Sequence, residues 1–424
     1  MSVPTKDLTI PVSSRCSKAQ QCGAKGVWAN NNSTGRYSLI HEEVCLPAAV
    51  INRKQITNNL DWMQKFATHH GVELCPHGKT TMTPELFQQQ LSTGAWGITV
   101  ATAPQAEVAV YAGAKRVIIA NQLVGRANMA IVKRLIMEHE IELYCCVDSE
   151  TNIEQLADFF EGTEFTLHIL IEYGVYGGRC GCRTRDQVKQ LAKLLKRTKA
   201  LSLVGVEVYE GVIQGDCAEQ NIRDFLYETI DIVDELAQAS FIERSKPIVT
   251  GAGSAWYDVV SECFEDLDKC IAIIRPGCYA IHDTGIYQRA QDKVLKRAIK
   301  NQGIACEIGG NLESALEVWA YVISKPESDQ AIIGLGKRDV AFDAGLPVAT
   351  RGFRNGQSID ISGMKAHMIM DQHMAVLVPN SLDIDVGDIV VFSTSHPCLT
   401  FDKWRYICVS DSEGQVSHLI ETYF

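Results

Sequence analysis

Between Pro47 and Arg275, short β-branched runs alternate with longer amphipathic stretches, and no other feature constrains the chain as strongly. Such alternation reports successive βα units, whose strands lie parallel because every helical crossover returns the chain to the same end of the sheet. Candidate strands are AAVI (48–51), VELCP (72–76), WGITVAT (96–102), RVIIAN (116–121), IELYCCV (141–147), FTLHILIEY (165–173), LSLVGVEVY (201–209), PIVTG (247–251) and IAIIRPG (271–277). The intervening NRKQITNNLDWMQKFATHH, APQAEVAVYAGA, RANMAIVKRLIMEHE and AEQNIRDFLYETIDIVDELAQAS carry apolar residues at helical spacing. A closed (β/α)8 TIM barrel takes eight strands. One of the nine is therefore expected to be a barrel-edge extension or a crossing strand.

After about residue 290 the texture changes to short runs such as AIIGLGKRD, GFRNGQSIDISG, MKAHMIMDQHMAVLV and VGDIVVFS, punctuated by Asn-Gly and Gly-Asp. That pattern predicts a mostly antiparallel β domain. The expected class is thus α/β, with an arm over residues 1–45, a barrel over 46–290 and a C-terminal β domain over 291–424. Residues 1–36 are polar and aperiodic and are expected to form a loose arm. A strand at Tyr37–Ile40 is expected to join the β domain.

Composition excludes several function classes. The chain of 424 residues carries 40 basic and 51 acidic side chains, a net charge of −11, which disfavours a surface for nucleic acid but permits a local basic pocket. No apolar run reaches the ~18 residues of a membrane span, and the N-terminus lacks the apolar stretch of a secretory signal. A cytoplasmic protein with no membrane partner is expected. The fifteen cysteines, scattered through apolar segments, read as reduced thiols. Cys145–Cys146 and Cys180–Cys182 have no second half at zinc-finger spacing.

In a parallel barrel, chemistry sits just beyond the C-terminal ends of the strands. Lys79 lies there, three residues after VELCP, between Gly78 and Thr80. A lysine desolvated on such a rim offers a neutral amine that condenses with a carbonyl, although an isolated lysine is more often simply solvated. The same rim collects Glu172 and Arg179, Tyr209 and Glu210, the turn Gly251–Ser254, and Arg275, Tyr279 and Asp283. The Gly-rich turn opens a predicted helix whose N-terminal amides could hold a phosphate, or it merely connects two elements. Farther on, His396 and Cys398 stand two residues apart after VGDIVVFS and can face one way in extended geometry. An imidazole and a thiolate suit zinc, but two donors without a third are more often buried structural residues.

On CPHGKTTMTPELFQQQLSTGAWGITVATAPQAEVAVYAGA, together with IIANQLVG, GVYGGRCG, VYEG, GAGS, RPGCY and SHPC, the chain resembles the D-threonine aldolase and D-serine dehydratase family almost end to end. These are alanine-racemase-like, fold type III pyridoxal-phosphate enzymes. The resemblance implies that Lys79 holds pyridoxal 5'-phosphate as an imine, that Gly251, Gly253 and Ser254 lie at its phosphate, and that Arg179 approaches its pyridine nitrogen. Tyr209 and Tyr279 are counted with them as cofactor contacts. It also makes His396 and Cys398 metal ligands, with Zn²⁺ the first choice and Mn²⁺ or Mg²⁺ behind it. The chain departs from simpler members in its polar arm, in Glu172 where an aspartate is common, and in the double glycine before Arg179.

The expectation that follows is a metal-assisted dehydratase of D-serine or a related D-3-hydroxyamino acid, releasing a 2-oxo acid and ammonia. Lys79, His396 and Cys398 would be its catalytic residues. A D-threonine aldolase, cleaving Cα–Cβ with the same metal, is the rival enzyme. A non-catalytic carrier of the cofactor is the rival from another class. The fold class implies a head-to-tail homodimer.

Overall fold

The computed structural model describes residues 23–28, 35–411 and 413–424. Most of the expected arm over 1–36 lies outside the described residues, as do two of the fifteen cysteines; the thirteen described are all free thiols. Among the described residues, no helix is long and apolar enough to cross a membrane.

Eight parallel strands follow one another in a single sheet: Glu73–Leu74, Ile98–Val100, Arg116–Gln122, Glu142–Val147, Leu167–Tyr173, Leu201–Val208, Ile248–Gly251 and Ile271–Ile274. The last strand pairs with the first. The first is also joined to the second, because Trp96 N donates to Leu74 O at 2.7 Å and Thr99 N to Pro76 O at 2.8 Å. The sheet is therefore a closed barrel. Its strands read as continuous apolar runs because both faces are buried. Ile118, Tyr144, Cys146, Leu170, Val204, Ile248 and Ile273 fill the interior, while Val117, Ile119, Leu143, Cys145 and Val147 pack under the helices. Cys145 and Cys146 thus point to opposite faces, and burial pushes the Cys145 thiol up to about 12. Neither is built to share a ligand with the other.

The surplus ninth run is Ala48–Asn52. It lies in the second sheet, antiparallel to Leu316–Glu327 with Ala48 opposite Trp319, and parallel to Tyr406–Ser410 with Val50 opposite Cys408. A strand in the middle of that sheet is buried on both faces too, so its sequence matches a barrel strand. Asn52 then caps the helix Arg53–His69 by accepting from Lys54 N at 3.0 Å and from Gln55 N, and Ile56, Leu60, Met63 and Phe66 form the buried stripe.

The second sheet has eleven strands and is otherwise antiparallel. Tyr37–Ser38 joins it against Gln415–Glu421. The expectation of strands from about residue 290 is corrected: Ile286–Asn301 and Ile304–Ile308 are helices, and the first strand of this region begins at Leu316. The longer helix buries only Gln291, Val294 and Ala298, too thin a stripe for periodicity to reveal. Its first turn is held by Asp283, whose Oδ1 accepts from Gly285, Tyr287 and Gln288 N at 2.9, 2.9 and 3.1 Å.

Two close approaches shape the barrel mouth, one within the barrel and one between the halves. A Cβ on Gly277 would stand 2.6 Å from His77 O and 2.9 Å from Thr80 Oγ1, so only glycine lets the loop after the last strand press on the Lys79 turn. A Cβ on Gly285 would meet Ser395 O at 2.7 Å, which is where the second sheet delivers its His396–Cys398 segment.

Candidate functional site

Lys79 sits on the 3-10 turn Gly78–Thr80 beyond the first barrel strand and lines a pocket of 180 Å³ at the barrel mouth. Arg179, Tyr209, Gly253, Ser254 and Cys398 line the same pocket, with His77, Asn121, Glu207, Arg275, Cys278 and Tyr287. Residues singled out from the sequence, Arg275 among them, are therefore brought together from both halves of the chain. Gly251 and Tyr279 are not among the lining residues. Gly251 ends its strand under Val208, and Tyr279 is buried with its hydroxyl accepting from Gln90 Nε2 at 3.2 Å. His396 stands beside Cys398 at the edge, its Nδ1 2.8 Å from Asp343 Oδ2. A larger cleft of 470 Å³ between the helix Arg53–His69 and the second sheet holds none of these residues.

The charge of the pocket opposes that of the chain. Lys79, Arg179 and Arg275 face it against one carboxylate, Glu207, in a protein of net charge −11. Burial, and then Lys79, Arg275 and Arg179, push the His77 imidazole well below its ordinary range, so it is neutral. Its Nδ1 and Glu207 Oε2 are buried without a hydrogen-bond partner among the described residues. A cationic pocket with orphaned polar atoms suits a small anionic group with ring donors and acceptors, so the residues present fit a phosphorylated pyridine. Lys79 is exposed to this pocket rather than buried in protein, so its desolvation, expected from the sequence, would come from whatever fills the pocket. Arg179 lies 4.5 Å from the Tyr209 ring centroid, which stacks the two at the rim.

The Gly-rich turn differs from the expectation. The helix begins at Tyr257, and the Ala252 and Gly253 amides already donate to Glu210, at 3.0 and 2.8 Å. Ser254 Oγ accepts from Gly277 N and Cys278 N, each at 3.1 Å. A carboxylate from the preceding βα loop thus occupies two donors that the sequence offered to a phosphate.

Arg275 is buried, donating to Glu207 Oε1, to Thr250 Oγ1 at 2.7 Å and to Val208 O at 3.2 Å. Removing it strands a buried carboxylate. Arg275→Ala is expected to cost about 3–5 kcal/mol in urea denaturation; a loss below about 1 kcal/mol would mean that the pair holds no uncompensated charge.

Glu172 lies opposite Glu207 on the neighbouring strand and accepts from Gln122 Nε2 at 2.7 Å. With Cys146 the two glutamates form the trio, among the described residues, whose donor atoms lie within 4.8 Å of one another and could hold a metal. Arg275 already supplies the cation that Glu207 needs, so charge argues against an ion there. Burial, and then Glu207, push Glu172 up to about 7. In the unfolded chain it ionises near its ordinary 4.5, so between there and about 7 the folded chain holds a proton that the unfolded one has released. The stability contributed by neutral Glu172 is full below that window and is lost as pH rises through it. Glu172→Gln is expected to flatten this slope, read as denaturation midpoints at about pH 5 and about pH 8; an unchanged slope would place the titration elsewhere.

Cys398 and His396 polarise each other. The adjacent Cys278 thiol, and then His396, hold Cys398 well below an ordinary thiol. Cys398, and then Asp343, raise His396 to about 9. Sequence reasoning missed Cys278, although it lies inside RPGCY, and missed Tyr287 and Glu207; only the last carried a signal, as a charge in an otherwise apolar strand.

A family model described as alanine racemase, N-terminal domain, matches residues 51–280, and one described as putative serine dehydratase domain matches residues 315–410. A D-threonine aldolase from Arthrobacter sp. is 27% identical over 360 residues, 84% of this chain and 86% of that one. A D-threo-3-hydroxyaspartate dehydratase from Delftia sp. (strain HT23) is 31% identical over 331 residues, 75% of this chain and 78% of its own. The crystal structure of a D-threonine aldolase from Filomicrobium marinum superposes with a TM-score of 0.75 at 23% identity, covering 90% of this chain and 95% of that one.

Proposed function

Because the chain belongs to the D-threonine aldolase and D-serine dehydratase family of alanine-racemase-like lyases, we propose that it is a pyridoxal-phosphate-dependent, metal-assisted dehydratase of small D-3-hydroxyamino acids. D-serine, D-threonine and D-threo-3-hydroxyaspartate are the candidate substrates, and a 2-oxo acid and ammonia the products. The observation that carries this reading is one pocket lined by both Lys79 and Cys398, an amine from the barrel and a thiol from the second sheet.

Lys79 would hold the cofactor covalently, and its freed Nζ would take the proton from Cα. When bound, pyridoxal phosphate supplies the electron sink that stabilises charge at that carbon. Arg179 would oppose protonation of the cofactor's pyridine nitrogen. Tyr209, Gly253 and Ser254 would flank the cofactor. His396 and Cys398 would hold a divalent ion, Zn²⁺ before Mn²⁺ or Mg²⁺, whose Lewis acidity serves departure of the β-hydroxyl. A homodimer is part of this reading, and Phe342, Val348, Met368 and Leu377 leave exposed apolar surface on the second-sheet half for it.

Incubation with D-threonine, before and after chelator treatment, tests the reaction. The expected products are 2-oxobutyrate and ammonia; glycine and acetaldehyde would overturn dehydration in favour of aldol cleavage, the reading that the 27% identical aldolase supports. No product from D-serine, D-threonine or D-threo-3-hydroxyaspartate, with cofactor and metal saturating, would favour a non-catalytic carrier.

A further inference from the structure

We propose that Cys278 is a third protein ligand of the metal assigned to His396 and Cys398, making a two-sulfur, one-nitrogen site that selects zinc; the proposal rests on that assignment. Cys278 comes from the barrel, on the turn Cys278–Ala280 after the last strand, whereas the other two come from the second-sheet half. Its sulfur lies 3.4 Å from that of Cys398, and Thr80 Oγ1 stands 3.6 and 3.5 Å from the two. Thiolates at two corners of a tetrahedron, each ~2.3 Å from zinc, stand ~3.8 Å apart, so the sulfurs are within a few tenths of an ångström of ligand spacing. A disulfide would bring them to ~2.05 Å, and these are separate thiols.

His396 is prepared from its other side. Asp343 engages Nδ1, so Nε2 is the ring nitrogen available to a metal, the arrangement in which a carboxylate orients a ligating imidazole. Among the described residues, these three donors are not all within 4.8 Å of one another, so the ring would have to move inward together with its more exposed partner Asp343. Three protein donors would leave a fourth corner open, as catalytic zinc requires, and both cysteines line the pocket where the substrate hydroxyl would lie. Two soft sulfurs disfavour Mg²⁺ and Mn²⁺.

Zinc X-ray absorption on the cofactor-loaded wild-type protein counts the sulfurs without any variant, and two per zinc are expected. Cys278→Ser is expected to leave one, to lower the thiolate-to-cobalt band of the cobalt-substituted protein about twofold, and to weaken zinc at least about 10-fold in chelator competition. One sulfur per zinc in the wild type, or an unchanged cobalt band in Cys278→Ser, would overturn the proposal and leave the two-ligand site standing. No sulfur at the bound zinc would remove both.

Discussion

Lys79→Ala is expected to abolish the visible absorbance of the bound cofactor and to lower kcat by ~10²–10⁴-fold, the range for losing a positioned proton-transfer group. Two losses coincide in one side chain, the covalent anchor and the base. Lys79 is exposed on a short turn, so truncation removes little packing, and stability should stay within about 0.5 kcal/mol of wild type. That contrast separates a chemical role from a structural one. An unchanged spectrum in the alanine variant would put the anchor elsewhere and end the reading.

Loss of the metal should act on turnover and spare the anchor. Cys398→Ala, or chelator treatment of the wild type, is expected to reduce product formation by ~10²–10³-fold, since Lewis-acid stabilisation is worth several kcal/mol and ~1.4 kcal/mol is tenfold in rate. The cofactor absorbance should persist, because Lys79 stays in place. Added zinc should restore the chelated wild type and leave the variant unrestored. Full activity in metal-free Cys398→Ala would show that the β-hydroxyl departs without an ion.

The barrel was legible because a parallel strand under helices has no solvent face and prints as an uninterrupted apolar run. For the same reason Ala48–Asn52 could not be told from it: the middle of the second sheet is equally dry, and local sequence does not say which sheet buries a residue. Ile286–Asn301 escaped for the opposite reason, burying one valine, one alanine and a glutamine. At the site, Lys79, Arg179 and Cys398 were visible through their motifs, each of which sits within a few residues. Cys278 meets Cys398 from 120 residues away, and Glu210 fills the Ala252–Gly253 amides from 42 and 43 residues away. Such pairings leave no periodic trace, so only the fold reveals them.

The placement of Ala48–Asn52 bears on how the molecule is made. This segment precedes the whole barrel, yet both of its neighbours, Leu316–Glu327 and Tyr406–Ser410, follow it. During synthesis the cylinder can close while that early strand still waits, edges open, for chain not yet translated. The Lys79 amine and the Cys398 thiol therefore become neighbours only after that later stretch of chain is made, and a ribosome-bound fragment stopped before Leu316 would carry Lys79 and Cys278 without His396 and Cys398. Competence for chemistry would then arrive in one late step and not grow with chain length.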